Sequence, residues 1–391
     1  MDKKTILKYP LLLGILLLAY AYNDIMTSGQ AGVREADRSS VYYILITIVL
    51  LLFSYNVSHE SYSLSHCRPL RTSTIAILCW STLVGIYWKT SFTVLSTQLF
   101  LAFWWITTFR FSYTYMRNNI EHKQQVIFVY LVAFFAYLIG NMYARTQIIQ
   151  NLEHEFAITY YVYYILIFIP FILLTETKWW RNIMLLLATY IILSSFKRGA
   201  LVCFPIMVIV YMFFRAKQGH RNGFPFNLIF FAIFLYFSLQ YVNEHSGGFL
   251  SERFSEQNLA DGSGRTEYRK MALMVISQRQ MLPLFIGTGP GSSVKLIGTG
   301  IHNEWVEFLF TYGIVGLLLY IYFLVSILHV CYHYVRLRTP YAPHMCMLAS
   351  YVLTCGLFSG CYFMHSTFYF FSFMGIATAL NDNNLDEVLY K

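Results

Sequence analysis

Lys197 and Arg198 are followed at once by Gly199 and Ala200, where an apolar stretch begins. The small residues allow another group to approach the backbone closely. An arginine at the start of a helix combines a guanidinium with backbone N–H groups, and this combination suits a phosphate. The alternative is that both basic side chains snorkel to lipid head groups, as they commonly do at helix ends.

A second basic group lies in the segment Asp261-Gly-Ser-Gly-Arg265-Thr-Glu-Tyr-Arg269-Lys270. Ser263 can cap a helix that begins near Arg265. Arg265 and Arg269 would then share one face of that helix, because residues four apart are neighbours on a helix surface. Two arginines on one face could clamp a diphosphate, although an ordinary solvated basic face explains the spacing equally well.

His302 lies within residues 301–307, just before a long apolar run. Its imidazole titrates near neutrality and could take a proton from a hydroxyl group. Glu304 and Glu307 could orient the ring or balance its charge, and acidic groups at membrane depth indicate a function by default. The alternative is an interfacial histidine with no chemical role, beside an interfacial Trp305.

Between these groups lies the glycine-rich segment Ile286-Gly-Thr-Gly-Pro-Gly-Ser-Ser293. It has neither the Lys-Ser/Thr ending nor the preceding strand of a nucleotide-binding loop. The segment therefore predicts a tight, irregular turn that positions the residues after it.

The elements that must hold these residues are membrane helices. Of 391 residues, 57% are hydrophobic and only 12% are charged, against about a quarter charged in soluble proteins. Apolar runs long enough to span a bilayer recur along the chain. The composition predicts an all-α, polytopic membrane protein and excludes a soluble enzyme, a nucleic-acid binder and a secreted disulfide scaffold. The seven cysteines show no Cys-x-x-Cys spacing, so we expect structural thiols and no metal.

The apolar runs predict about twelve transmembrane helices. Residues 182–214 are too long for one span, so two short spans are expected to meet at residues 194–199. Most lysines and arginines of the short loops then fall on the side of the N-terminus, which predicts two cytoplasmic termini. The spans are expected near residues 5–22, 41–57, 73–88, 92–109, 125–143, 158–174, 182–196, 200–214, 227–242, 305–328, 345–360 and 363–380.

The same reading divides the chain into four parts. Residues 1–242 hold helices one to nine, residues 305–380 hold the last three, and residues 381–391 form a cytoplasmic tail. Residues 243–304 form a long polar loop on the outer face, and such loops are usually functional or disordered. The apolar stretch at 271–277 predicts that this loop is a partly helical periplasmic or extracellular cap.

Five short elements occur in a fixed order across roughly residues 190–325. They are Arg198-Gly-Ala200, Gly264-Arg265, Gly287-Thr-Gly-Pro-Gly291, His302-Asn303 and Gly313-Ile-Val-Gly316. This order resembles the O-antigen polymerase and ligase superfamily of bacterial polysaccharide assembly. The first 180 residues resemble that superfamily only in being apolar spans.

The resemblance implies a metal-independent glycosyltransferase of the C type, without cofactor, in the bacterial inner (cytoplasmic) membrane. Its donor would be a glycan linked to undecaprenyl diphosphate, and its partners a glycan acceptor, membrane lipids and possibly a chain-length regulator. Arg198 and Arg265 would bind the diphosphate and stabilise its departure, and His302 would be the base or positioning group for the acceptor hydroxyl. The secondary candidates for substrate binding are Arg269, Lys270, Lys197 and Glu307.

The acceptor separates two activities within the superfamily. A polymerase extends a lipid-linked repeat unit into O-antigen, capsule or exopolysaccharide, whereas a ligase transfers the glycan to the lipid A core of lipopolysaccharide. In the superfamily, ligases tend to have a longer stretch between the second arginine and the histidine. The 37 positions from Arg265 to His302 therefore favour a polymerase. Outside the superfamily, a polysaccharide or lipid transporter would need ionisable groups along a central path, and a structural membrane protein would need no such arginine and histidine arrangement.

Overall fold

The computed structural model describes Leu18 and residues 64–152, 161–219, 224–255, 265–360, 362 and 367–389. All regular elements in these ranges are helical, as expected. The α-helices are α1 (Arg68–Tyr87), α2 (Phe92–Asn118), α3 (Lys123–Leu152), α4 (Val162–Leu173), α5 (Lys178–Ser194), α6 (Arg198–Lys217), α7 (Phe224–His245), α8 (Phe249–Arg253), α9 (Arg265–Ser277), α10 (Met281–Ile286), α11 (Ser292–Ile297), α12 (Glu304–Arg336), α13 (Ala342–Phe358) and α14 (Thr367–Leu389).

Five helical segments of the described residues are long and apolar enough to cross a membrane. They are Ser65–Tyr87, Ile120–Tyr143, Arg198–Lys217, Pro225–His245 and Glu304–Arg336. Val162–Leu173 and Ala342–Phe358 are apolar but shorter. The count of about twelve spans and the four-part division remain predictions, and the first two expected spans, 5–22 and 41–57, lie outside the described residues apart from Leu18.

The short helix α4 forms the centre of the bundle. Residues 162–172 are all buried, because a helix that is apolar on every side is stable only when neighbours cover it completely. Helices α3, α5, α6, α13 and α14 all pack against it. Helix α7 differs: none of its most apolar 18-residue window is buried inside the protein.

The expected break between two short spans is present. Helix α5 ends at Ser194 and α6 begins at Arg198. Phe196 between them has a φ of +51°, a left-handed conformation that non-glycine residues rarely adopt. Its ring is buried and packs edge-on against Phe249 with ring centroids 5.2 Å apart, so burial of the side chain offsets the backbone strain and fixes the direction in which Lys197 and Arg198 leave the turn.

The span expected at 305–328 is a longer helix with an interruption that the sequence did not predict. Gly313 has φ 70° and ψ −168° inside α12. An added Cβ would lie 2.2 Å from the Phe285 carbonyl oxygen, and a Cβ on Gly287 would lie 2.2 Å from that of Thr311. The end of α10 therefore crosses α12 backbone to backbone, which only two glycines permit.

At the far end of α12, a polar network joins it to its neighbours. The Tyr334 hydroxyl donates to Asp382 of α14 at 2.7 Å, and the Tyr113 hydroxyl of α2 donates to the same carboxylate at 2.9 Å. Arg117 of α2 pairs with Asp386 of α14. These bonds satisfy buried polar groups away from the residues singled out above.

Candidate active site

The predicted site residues lie on or beside three helices. Arg198 is the first residue of α6, and Arg265 is the first described residue of α9. Asn303 caps α12, and its Oδ1 accepts a hydrogen bond from the Val306 amide at 3.0 Å. Helix N-termini carry partial positive charge and favour anions. Arg265 is helical, as expected, whereas the expected cap, Ser263, lies outside the described residues.

The carboxyl end of α13 holds these helix starts together. Arg265 Nη1 donates to the Phe358 carbonyl at 3.1 Å, and Asn303 Nδ2 donates to the Leu357 carbonyl at 3.1 Å. Phe358 also packs on Gly199, where an added Cβ would lie 2.9 Å from the Phe358 Cβ. The small residue noted in the sequence therefore makes room for Phe358 and, from the other side, for Tyr163 of α4.

Four cations gather at this point: Lys197, Arg198, Arg253 and Arg265. Burial lowers the pKa of Lys197 to about 8, with further lowering by Arg265 and Arg253. Burial also lowers the pKa of Arg253, and Arg198 and Arg265 add to that effect. Arg198 Nη1 donates to the Arg253 carbonyl at 3.4 Å. Like charges held together in a partly buried place disfavour one another, so an anionic ligand would be stabilised there.

His302 lies beside this cluster, in a left-handed conformation with φ 55°. Desolvation, followed by the charges of Arg265 and Lys197, lowers the pKa of His302 to about 4. The residue is exposed, and water screens part of this effect. The imidazole is neutral at physiological pH and can accept a proton. Strained backbone of this kind concentrates at functional sites.

The two glutamates accept hydrogen bonds from nearby amides and hydroxyls, and their effect on His302 remains a prediction. Glu304 is buried, and its Oε1 accepts from the Tyr362 amide at 3.0 Å. Glu307 Oε1 accepts from the Ser293 and Thr311 hydroxyls at 2.7 and 3.2 Å, and its Oε2 accepts from the Ile301 amide at 3.0 Å. Through these contacts Glu307 ties the loop before His302 to α11 and α12, and its expected contact with substrate remains a prediction.

Arg269 and Lys270 lie one turn along α9. Arg269 is partly buried, and its Nε donates to the Arg265 carbonyl at 3.3 Å, so the two arginines share a helix face as expected. Lys270 is exposed. The structure thus brings Lys197, Arg198, Arg265 and His302 together and places Arg269 at the edge of the group.

The glycine-rich segment forms the irregular turn that the sequence predicts. Gly287, Gly289 and Gly291 all have positive φ. The turn satisfies the carbonyls that the interruption of α12 leaves open: the Gly289 amide donates to the Thr311 carbonyl at 2.9 Å. Trp80 Nε1 of α1 donates to the next carbonyl, that of Tyr312, at 3.0 Å. The first part of α12, which begins beside His302, is thereby fixed at both ends.

Sequence reasoning missed Arg253 and Arg279. Arg253 follows Glu252 and has the pattern of a local ion pair on a loop. Arg279 donates from Nη1 to the Phe310 carbonyl at 2.9 Å and its guanidinium lies 4.3 Å from the Phe310 ring centre, a contact made across the fold. A signal existed for both: they are additional arginines in a loop whose other arginines had already been singled out.

No group of three or more His, Cys, Asp or Glu side chains in the described ranges is arranged to hold a metal ion. The expectation of a site without metal or cofactor remains a prediction, because it concerns the reaction and not only these side chains.

Comparison with known proteins adds one match. Residues 183–321 match the family model Wzy_C, described as O-antigen ligase, and no curated protein matches the chain. The matched range runs from α5 into α12 and contains the four cations, His302 and the crossing glycines. With its apolar helices, the chain is an integral membrane protein. Over residues 183–321 the chain is similar to the O-antigen ligase and polymerase superfamily, whose members are glycosyltransferase-like enzymes that act on lipid-linked glycans.

Proposed function

We propose that this protein is a metal-independent glycosyltransferase that polymerises undecaprenyl-diphosphate-linked repeat units at the outer face of the cytoplasmic membrane. The observation that carries the proposal is the position of a neutral histidine, His302, beside a cluster of four cations. The product would be O-antigen, capsule or exopolysaccharide, and a chain-length regulator is a possible partner.

The cations act on the donor. Transfer of a glycan breaks the bond between the sugar C1 and a diphosphate oxygen, and negative charge develops on the leaving diphosphate. Arg198 and Arg265 are held in place by carbonyls of Arg253 and Phe358, so they stabilise this charge without reorganising. Their planar guanidinium groups suit phosphate oxygens, and Lys197 and Arg253 add charge. We assign Arg269 to the edge of the diphosphate site and give Lys270 the weakest claim.

His302 acts on the acceptor. As the acceptor hydroxyl oxygen attacks C1, its proton passes to the imidazole, and the electron pair of the breaking bond leaves with the diphosphate. The same cations that lower the pKa of His302 are neutralised when the diphosphate binds. Donor binding should therefore raise the pKa of His302 and make it a stronger base at the moment when an acceptor can react.

The test is replacement of His302 in the native host. Asparagine tolerates a left-handed backbone, so His302→Asn removes the base and keeps the loop, whereas His302→Ala also disturbs the loop. With equal membrane levels, both variants should reduce the surface-glycan ladder to single repeats or abolish the capsule. An unchanged ladder in His302→Asn would remove His302 from the reaction and withdraw the proposal. Lys295→Gln, which removes an exposed cation of α11 outside the cluster, serves as the control.

A ligase is the second candidate, because the matching family model is described as O-antigen ligase. The same experiment separates the two activities. Loss of a ligase leaves long chains on the lipid carrier and none on the lipid A core, whereas loss of a polymerase leaves single repeats. A transporter would move the lipid-linked glycan without breaking a bond, and the gathering of the cations at one end of the described helices argues against it.

A further inference from the structure

A lateral groove lies at the end of α6 opposite to the four cations. It encloses about 680 Å³ between α4, α5, α6 and α7, within the range of roughly 300–1,000 Å³ typical of ligand pockets. Most of its lining is aliphatic or aromatic, including Leu185, Phe204, Val208, Phe231 and Phe234. Because α6 and α7 are long and apolar enough to cross the membrane, we expect the groove to face lipid chains.

One end of the groove is polar and basic. Arg215 lines it and donates from Nη1 to the Tyr211 hydroxyl at 3.3 Å. Arg181, at the start of α5, also lies within electrostatic range of that hydroxyl. Asn182 and Asn227 complete this end, and none of the described residues that line the groove is acidic. An apolar groove with one arginine in its lining and a second one nearby matches a lipid with an anionic head group.

We propose that this groove binds one anionic phospholipid, with an acyl chain between α5, α6 and α7 and the phosphate at Arg215 and Arg181. Charge complementarity and the position within the membrane select this occupant. The glycan donor is a poorer fit, because Arg215 lies 17 residues beyond Arg198 on α6. That separation is about 25 Å along a helix, so a diphosphate held at Arg198 cannot reach this end.

The test measures lipid retention by the purified full-length chain, and so does not depend on the proposed transferase activity. After delipidation, native mass spectrometry follows titration with phosphatidylglycerol, phosphatidylcholine or undecaprenyl phosphate. Wild type should retain one phosphatidylglycerol in preference to phosphatidylcholine. Arg215→Gln should weaken that binding by roughly fivefold, since one arginine near a membrane surface contributes about 1 kcal/mol.

Two matched controls define the site. Arg336→Gln removes an exposed arginine at the end of α12 on the same membrane side, and should leave retention unchanged. Thr189→Phe fills the groove and should abolish retention, whereas Leu187→Phe, on an exposed part of α5 outside the lining, should not.

Equal retention of both phospholipids, stronger retention of undecaprenyl phosphate, or no retained lipid in the wild type would each overturn the proposal. None of these outcomes bears on His302 or Arg198, whose substitution is judged by the glycan ladder.

Discussion

Replacing Gly199 by alanine adds one methyl group directly beneath the four cations. An added Cβ would lie 2.3 Å from the Tyr163 hydroxyl oxygen and 2.9 Å from the Phe358 Cβ. Tyr163 belongs to the buried helix α4 and cannot retreat freely. Overpacking of this kind costs about 1–3 kcal/mol, and the higher helix propensity of alanine returns up to about 1 kcal/mol. We therefore expect a net loss of stability of about 2 kcal/mol or less.

The effect on transfer should be larger than this loss of stability. Phe358 accepts the hydrogen bond from Arg265, so a displaced Phe358 carries the guanidinium with it. A displacement of about 1 Å in a positioning group costs roughly 100-fold in rate. Gly199→Ala should therefore fold and insert, with a small decrease in melting temperature, and should build glycan about 100-fold more slowly in isolated membranes.

Two further variants test this reasoning. Gly85→Ala is the matched helical control, because its added Cβ meets only the mobile end of Leu95, at 2.5 Å from Cδ1; it should keep full activity. Adding Tyr163→Phe to Gly199→Ala removes the closest clash and should restore part of the activity. Normal transfer by Gly199→Ala at normal stability would refute the idea that the packing of Phe358 on Gly199 positions Arg265.

The remaining predictions concern the site and its support. Burial lowers the pKa of Lys197 to about 8, so kcat/KM for the lipid-linked donor should fall as pH rises through about 8, where the cation is lost; Lys197→Arg stays charged and should lose this alkaline limb. Asn303→Asp keeps the cap of α12 but cannot donate to the Leu357 carbonyl, so thermal unfolding should change little while the transfer rate falls; Asn303→Ala also loses the cap, which costs about 1 kcal/mol more. Gly313→Ala places a Cβ 2.2 Å from the Phe285 carbonyl oxygen in a backbone conformation reserved for glycine, so it should lower stability by at least about 2 kcal/mol and abolish glycan synthesis. A Gly313→Ala protein that melts and transfers normally would contradict the crossing of α10 and α12.

Several features of the site could be predicted because they depend on local sequence. The break before Arg198 follows from the length of an apolar stretch and the placement of charges, and a helix containing Arg265 was expected after the small polar residues before it. The order of the basic residues and His302 predicted their association. The start of α12 next to His302 is likewise a local property, because Asn303 is a favoured capping residue.

Other features depend on contacts between distant segments. The Gly313 interruption was missed because an apolar run with one glycine predicts a continuous helix, and only the approach of Phe285 explains the break. The carbonyls of Leu357 and Phe358 that hold Asn303 and Arg265 are backbone groups, which leave no trace in residue type. The partners of Glu307 in α11 and in the loop before His302 are likewise invisible in a linear sequence.

The interruption of α12 has a consequence for how the protein responds to membranes of different thickness. As a continuous helix its 33 residues would extend about 50 Å, well beyond a hydrocarbon core of about 30 Å. An uninterrupted helix of that length adapts to a thinner or thicker bilayer by tilting, and the tilt would also move its N-terminal end, next to His302. The segment of α12 before Gly313 is bound separately to α10 and α1. The longer part of α12, after Gly313, can therefore tilt while His302 keeps its place beside the cations.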